Sequence, residues 1–175
     1  MIKLIELLNI EKFNYQKTIS ENLWHTLNEI SLSKENAVEV NGDSTGGKFT
    51  VGDQTYSYAI KSMDSPYGDL KRLWNIQFHP EENVISIPQG GKENYIKILS
   101  TMYKIIVDFA EKEKPEYIGI ASLDNDNSKN YHKVYANLTD NKFNNIPGYF
   151  RKDVNLPFNT SQGKGRMVVL KRKDV

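Results

Sequence analysis

Hydrophobic residues near the start of the chain recur at helical spacing. Over residues 1–32 they lie three or four positions apart, which places them on one face of a helix. The clearest such face consists of Ile19, Leu23, Leu27 and Ile30. We therefore predict two short N-terminal helices within 1–32, ahead of any strand.

From residue 37 to residue 88 the pattern shortens to an alternation of hydrophobic and polar positions, which is typical of strands with one buried face. The alternating hydrophobic positions are Phe49, Val51, Tyr56, Tyr58, Ile60, Trp74, Ile76 and Phe78. Gly52 and Asp53 separate the first two runs, and glycine readily adopts the positive φ of a tight hairpin turn. The pattern predicts antiparallel strands over 37–88.

Residues 92–139 predict a helix, a strand and a second helix. The first helix carries a broad hydrophobic stripe made of Tyr95, Ile98, Leu99, Met102, Ile105, Ile106 and Phe109. Pro115 ends this helix, and Tyr117–Ala121 follows as a short buried strand. This order favours a strand–helix–strand crossover near residues 73–122. The second helix has a hydrophobic face that we expect to point inward, made of Tyr131, Val134, Tyr135 and Leu138.

Two closing strands are predicted within 147–172. We place them at 148–152 and 165–171, on either side of a loop that holds Pro157, Asn159, Ser161 and Gly163. No internal repeat or linker interrupts the chain, so we predict one domain over 1–175. Its fold class is α+β, with a central mixed, mostly antiparallel sheet and flanking helices.

Composition and charge narrow the classes of partner. The chain has 23 Lys and Arg against 22 Asp and Glu, and a net charge of +1 does not favour a phosphate backbone, so we expect no nucleic-acid partner. Cys is absent and the three histidines share no ligand spacing, so we expect no metal. The apolar start is interrupted by Lys3 and Glu6 and lacks a cleavage site, so we expect no secretory signal or membrane segment and a cytoplasmic location.

A glycine-rich segment, Gly42–Lys48, fits most of the phosphate-binding loop pattern. Phe49 follows it, where the pattern needs a hydroxyl residue for magnesium, and the next residues alternate as in a strand. We therefore predict a hairpin loop here.

The latter two thirds of the chain resemble phage-type proteins of the GCN5-related N-acetyltransferase (GNAT) fold. The likeness rests on the order of elements and on six segments: Tyr56–Tyr58, Trp74–Phe78, Lys97–Phe109, Lys114–Ala121, Lys133–Tyr135 and Gly165–Leu170. The resemblance implies a GNAT-like sheet whose fourth and fifth strands splay apart. It also implies acetyl-CoA as cofactor, with its pantetheine arm in the gap between those strands.

In that family the pyrophosphate rests on a glycine loop at the start of the helix that follows the fourth strand, where backbone N–H groups and the helix dipole favour an anion. The resemblance therefore implies cofactor-binding roles for Gln89, Gly90, Gly91 and Lys92. The glycines are shifted from the family pattern, because Lys92 and Asn94 stand where small residues are expected. The alternative is a glycine turn that simply enters a helix.

The resemblance also implies an acid and a base. Tyr135 matches the family's catalytic tyrosine, whose phenol returns a proton to the departing thiolate. The strand over Trp74–Phe78 contains no carboxylate, and only His79, Glu81 and Glu82 lie just beyond it; of these, His79 is the candidate base. The alternatives are that Tyr135 is a core residue and that His79 is a solvated strand end.

Three functions stay open at this stage. The first is a phage-encoded binding or virion-associated structural module with a degenerate acetyl-CoA site and a protein partner, located in the host cytoplasm or the virion. The second is an active acetyl-CoA-dependent N-acetyltransferase that acts on a protein or small-molecule amine. The third is a scaffold with an aromatic protein interface, which surface exposure of Tyr56, Tyr58 or Tyr149 would support. The sequence leaves the oligomeric state open.

Overall fold

A computed structural model describes residues 32–63, 72–81, 91–123, 129–140, 145–160 and 163–174 of the chain. Apart from Leu32, the N-terminal helices predicted over 1–32 lie outside these ranges. After a short 3₁₀ turn, Lys34–Asn36, the elements are β1 (Asn41–Gly42), β2 (Gly46–Val51), β3 (Gln54–Met63), β4 (Leu73–Pro80), α1 (Gly91–Glu113), β5 (Tyr117–Leu123), α2 (Lys129–Leu138), β6 (Tyr149–Thr160) and β7 (Gly163–Arg172).

The strands form one seven-stranded sheet in the order β1-β2-β3-β4-β5-β7-β6. Strands β4 and β5 run parallel, and the other neighbouring strands run antiparallel. The predicted α+β class with a mixed, mostly antiparallel sheet is therefore confirmed. Residues Leu32–Val175 form one compact unit.

Local chemistry accounts for the first hairpins. Gly52 has a φ of 64° and turns β2 into β3, as its position in the sequence predicts. Asp43 turns β1 into β2, because its carboxylate accepts hydrogen bonds from the N–H and hydroxyl of Thr45, both at 2.7 Å. The segment that imitates a phosphate-binding loop is thus a strand hairpin.

Helix α1 connects the two parallel strands. It runs unbroken for 23 residues, and its long hydrophobic stripe packs on the sheet. The ring of Phe109 lies 5.4 Å from that of Trp74 on β4. Lys114, with a φ of 46°, ends the helix just before Pro115. This is the strand–helix–strand arrangement that the hydrophobic pattern predicts.

The sheet has two different faces. Even-numbered residues of β4 face the helices, since Trp74 meets α1 and Phe78 meets α2. The opposite face carries a second hydrophobic cluster made of Leu73, Tyr117, Ala121, Phe158, Met167 and Val169. Strand β5 is therefore buried on both faces, which explains its continuous hydrophobic sequence.

The prediction of a long loop between the two closing strands is wrong. Pro157 and Asn159 belong to β6 and Gly163 begins β7, while Ser161 lies outside the described residues. Strand β6 forms an edge of the sheet, where a proline costs no ladder hydrogen bond on the solvent side. Two register shifts between Arg151 and Leu156 also break the alternation that would have marked this strand in the sequence.

No helix among the described residues is long and apolar enough to cross a membrane.

Candidate functional site

The sheet opens between its two parallel strands. β4 and β5 pair from Leu73 with Tyr117 as far as Ile76 with Ile120. Both strands then continue, β4 to Pro80 beside β3 and β5 to Leu123 beside β7. We call the space between Gln77–Pro80 and Ala121–Leu123 the strand gap.

The main chain of Phe78 faces the strand gap. The N–H of Glu81 donates to the carbonyl of Thr55 at 2.9 Å, so odd-numbered residues of β4 bond to β3. The alternation of an antiparallel ladder then directs the N–H and C=O of Phe78 away from β3. The N–H of Arg172 donates to the carbonyl of Glu116 at 3.0 Å, and the same alternation directs Ala121 and Leu123 toward β4. Both edges of the gap thus present peptide donors and acceptors.

Tyr135 lies beside the strand gap on the helical face. Its ring centroid is 6.1 Å from that of Phe78, and the side chain is 1% exposed. Val134 and Leu138 are buried with it, as helical spacing predicts, because α2 packs on β5 and β7. The residue is therefore part of the core and also borders the gap, so the two interpretations of its sequence position are compatible.

Two side chains donate hydrogen bonds to carbonyl groups at the C-terminal end of α2. The hydroxyl of Thr139 donates to the carbonyl of Tyr135 at 2.8 Å, and the guanidinium of Arg151 donates to the carbonyl of Ala136 at 2.9 Å. Cations and donors at this end complement the helix dipole and the carbonyls left without helical partners. The bond from Arg151, which belongs to β6, connects this end of α2 to the sheet.

His79 lies on the other face of the sheet from Tyr135. It is exposed, and it follows Phe78 directly, so its side chain emerges on the opposite side of β4. Its carbonyl accepts a hydrogen bond from the hydroxyl of Ser57 at 3.4 Å. The structure therefore does not bring together the two residues that the resemblance assigned as acid and base.

The carboxylate at the end of β4 is also directed elsewhere. Glu81 forms an ion pair with Lys48 of β2, on the side of the sheet remote from β5. No cluster of three or more His, Asp or Glu side chains that could hold a metal ion occurs in the part of the chain that the structure describes. Strand β4, Leu73–Pro80, contains no carboxylate, so His79 is the basic group that this strand supplies.

Of the four residues in the glycine loop, Gln89 and Gly90 lie outside the described residues, and so does the side chain of Lys92. Gly91 is the first residue of α1 and has a φ of 62°, a conformation that favours glycine. Glu93 lies in the first turn, where Lys97 donates to it at 2.6 Å. That hydrogen bond lowers the pKa of Glu93, so a negative charge occupies the helix end that would receive a phosphate.

Asn75 is a candidate site residue that was not predicted from the sequence. It lies one position before the last β4–β5 pair and is 9% exposed. Its Oδ1 atom has no hydrogen-bond partner among the described residues. The sequence carries no local signal for it, because Asn75, Gln77 and His79 alternate with hydrophobic residues as on any half-exposed strand.

The aromatic interface considered above has no support, because Tyr56, Tyr58 and Tyr149 are each 7% exposed or less. Tyr58 and Tyr149 use their hydroxyls internally, on the carbonyls of Asp43 and Pro115. Comparison with models of protein families, with curated proteins and with solved structures finds no match to this chain.

Proposed function

We propose that this chain is a GNAT-like module, of the kind that phages encode, that binds acetyl-CoA through its pantetheine arm in the strand gap. The observation that carries the proposal is the early end of the parallel pair: pairing stops at Ile76 and Ile120, although both strands continue. The arm carries two secondary amides, which match the peptide groups that Phe78, Ala121 and Leu123 present there.

The topology supports the same proposal. A seven-stranded sheet in the order β1-β2-β3-β4-β5-β7-β6, with one parallel pair joined through a long helix, agrees with what the resemblance implies for a GNAT-like fold. The gap lies between the fourth and fifth strands, where the family places its cofactor. Helix α1 begins beyond the end of β4 at which the gap opens, so phosphates at its first turn would lie at the open end.

We favour binding over acyl transfer because the polar groups of the site are not arranged for catalysis. His79 and Tyr135 lie on opposite faces, and Glu81 is paired with Lys48. Glu93 places a negative charge at the phosphate end. A degenerate cofactor site of this kind suits a binding or virion-associated structural module whose partner is a protein.

Thermal unfolding with and without acetyl-CoA tests the binding proposal. Ligand at a hundred times its Kd adds about 2.7 kcal/mol to the free energy of unfolding, which raises Tm by several degrees in a domain of this size. Adenosine 3′,5′-bisphosphate, which lacks the pantetheine arm, serves as the control and should raise Tm less. An unchanged Tm with millimolar acetyl-CoA and with millimolar CoA excludes the proposal.

The position of Tyr135 favours a second candidate, an active N-acetyltransferase that acts on a protein or small-molecule amine. Release of CoA in the presence of mixed amines tests it, and Tyr135→Phe should then lower turnover at least tenfold while the Tm shift with acetyl-CoA stays unchanged. Tyr103→Phe is the matched control. Its hydroxyl donates to the carbonyl of Asn145 at 3.0 Å, in a contact between α1 and the segment after α2, so turnover should not change. Equal turnover in Tyr135→Phe excludes the proposed acid.

A further inference from the structure

Asn75 lies at the closed end of the strand gap. It pairs with Gly119 one position before β4 and β5 separate. A chain that enters the gap from its open end passes the main chain of Phe78 first and reaches Asn75 last. The closed end is therefore the place where the side chain of Asn75 can meet the tip of a bound ligand.

The two sides of β4 differ around Asn75: Lys61 of β3 lies directly opposite Asn75 and is exposed, whereas the side toward β5 is apolar. Leu73 lies two residues before it, and Met167 occupies the space beside Gly119, where an added Cβ would collide with the Met167 sulfur. Gly119 supplies no side chain of its own. The hydrophobic side chains toward β5 cannot satisfy a carboxamide, and Oδ1 has no partner among the described residues.

A buried carbonyl oxygen without a hydrogen bond costs stability, because the hydrogen bonds that it makes to water in the unfolded chain are not replaced. A hydrophobic residue of similar size at this position would avoid that cost, so the carboxamide needs a reason other than folding. A ligand donor that completes the hydrogen bond supplies such a reason. The binding free energy then includes a hydrogen bond formed in a site of low dielectric.

We infer that the Oδ1 atom of Asn75 accepts a hydrogen bond from a secondary amide N–H of the bound ligand, namely the pantetheine amide nearest the sulfur. This inference rests on the proposed function, since it assumes a pantetheine chain in the strand gap. A neutral amide suits the position better than an ammonium group, because the apolar side toward β5 penalises a buried charge and Lys61, directly opposite Asn75, would repel a second cation. The amide nearest the sulfur is chosen because the phosphates lie at the open end.

Calorimetric titration of the full chain with CoA, pantetheine and adenosine 3′,5′-bisphosphate tests the inference in wild type and in Asn75→Leu. We expect Asn75→Leu to bind CoA and pantetheine about tenfold more weakly, which corresponds to about 1.4 kcal/mol. Its affinity for adenosine 3′,5′-bisphosphate, which has no amide, should not change. Its Tm without ligand should equal or exceed that of wild type, because the unpaired oxygen is gone.

A second measurement leaves the protein unaltered. A pantetheine analogue with an ester oxygen in place of the amide N–H nearest the sulfur should bind wild type about tenfold more weakly than pantetheine. In Asn75→Leu the two compounds should bind equally, because the accepting oxygen is absent. Equal affinity of wild type for the two compounds overturns the role of Asn75 without any variant, whereas a loss that persists in Asn75→Leu assigns the amide to a main-chain carbonyl and overturns it as well.

The outcomes separate the two proposals. If wild type binds pantetheine and its ester analogue with the same affinity, the role of Asn75 is wrong while the binding function stands. If wild type binds neither CoA nor pantetheine, the proposed function fails and the role of Asn75 fails with it.

Discussion

The ring of Phe78 lies 6.1 Å from the ring of Tyr135, and this contact joins the end of β4 beyond its last pair with β5 to helix α2. On its other side Phe78 lies 6.4 Å from Tyr58. Phe78 therefore packs the gap-facing end of β4 against both β3 and α2. The same residue directs its main-chain N–H and C=O into the gap, so packing and the proposed binding of the pantetheine arm depend on one position.

Replacement of Phe78 should therefore affect stability first. Phe78→Ala removes a ring that is 6% exposed and both of its aromatic contacts, and we expect the free energy of unfolding to fall by about 3–5 kcal/mol. Phe78→Leu keeps most of the volume and should cost roughly half as much. Denaturant unfolding monitored by circular dichroism measures both. A loss below 1 kcal/mol in Phe78→Ala contradicts the packing described here.

Tyr149 should make stability depend on pH in the alkaline range. Burial raises the pKa of its phenol to about 12, and its hydroxyl donates to the carbonyl of Pro115 at 2.6 Å. A pKa raised on folding means that the protonated phenol stabilises the fold below about pH 10, and that this contribution is lost as the pH rises toward 12. Tyr149→Phe should lose stability at neutral pH and show a shallower decline between pH 10 and 12. The free energy of unfolding is measured by urea denaturation at several pH values between 10 and 12. If it declines equally steeply with pH in wild type and in Tyr149→Phe, the prediction is wrong.

Lys114 should be replaceable by glycine with a gain in stability. It ends α1 with a φ of 46°, a left-handed conformation that costs a residue with a Cβ about 1 kcal/mol more than glycine. Arg172 bonds to the carbonyl of Lys114, so the side chain is not needed for that contact. Lys114→Gly should raise the free energy of unfolding by up to about 1 kcal/mol. Lys112→Gly, in the last turn of the same helix, is the control and should lower it by a similar amount.

The local pattern predicts most of the secondary structure because hydrophobic spacing reports which face of an element is buried. Gly52 marks a turn, and Tyr135 lies inward on α2, as spacing requires. The full length of strand β6 could not be predicted in the same way. Its edge position tolerates Pro157, and two register shifts interrupt the alternation of hydrophobic and polar residues.

The strand gap could not be predicted from local pattern at all, since it depends on where two strands distant in sequence stop pairing. Ile76 and Ile120 look no different from their neighbours in the sequence. The resemblance to GNAT proteins implies a gap, yet it gives no reason to single out Asn75. Only burial combined with the unpaired Oδ1 atom identifies that residue.

Glu93 should weaken the binding of any phosphate at the start of α1. Its carboxylate lies in the first helical turn, and the hydrogen bond from Lys97 lowers its pKa, so it carries a full negative charge at neutral pH. Glu93→Gln removes this charge, and we expect CoA to bind about two- to fivefold more tightly at low salt. Pantetheine, which has no phosphate, should bind both proteins equally.

Glu113→Gln is the matched control for Glu93→Gln, because it makes the same change of charge at the opposite end of α1, 20 residues away. Its affinity for CoA should equal that of wild type. The advantage of Glu93→Gln should shrink in 0.5 M salt, where exposed charges are screened, and also as the pH falls and Glu93 becomes protonated in wild type. If Glu93→Gln and Glu113→Gln bind CoA equally at low salt, the phosphates of the ligand do not lie at the first turn of α1, and that part of the proposed binding mode is wrong.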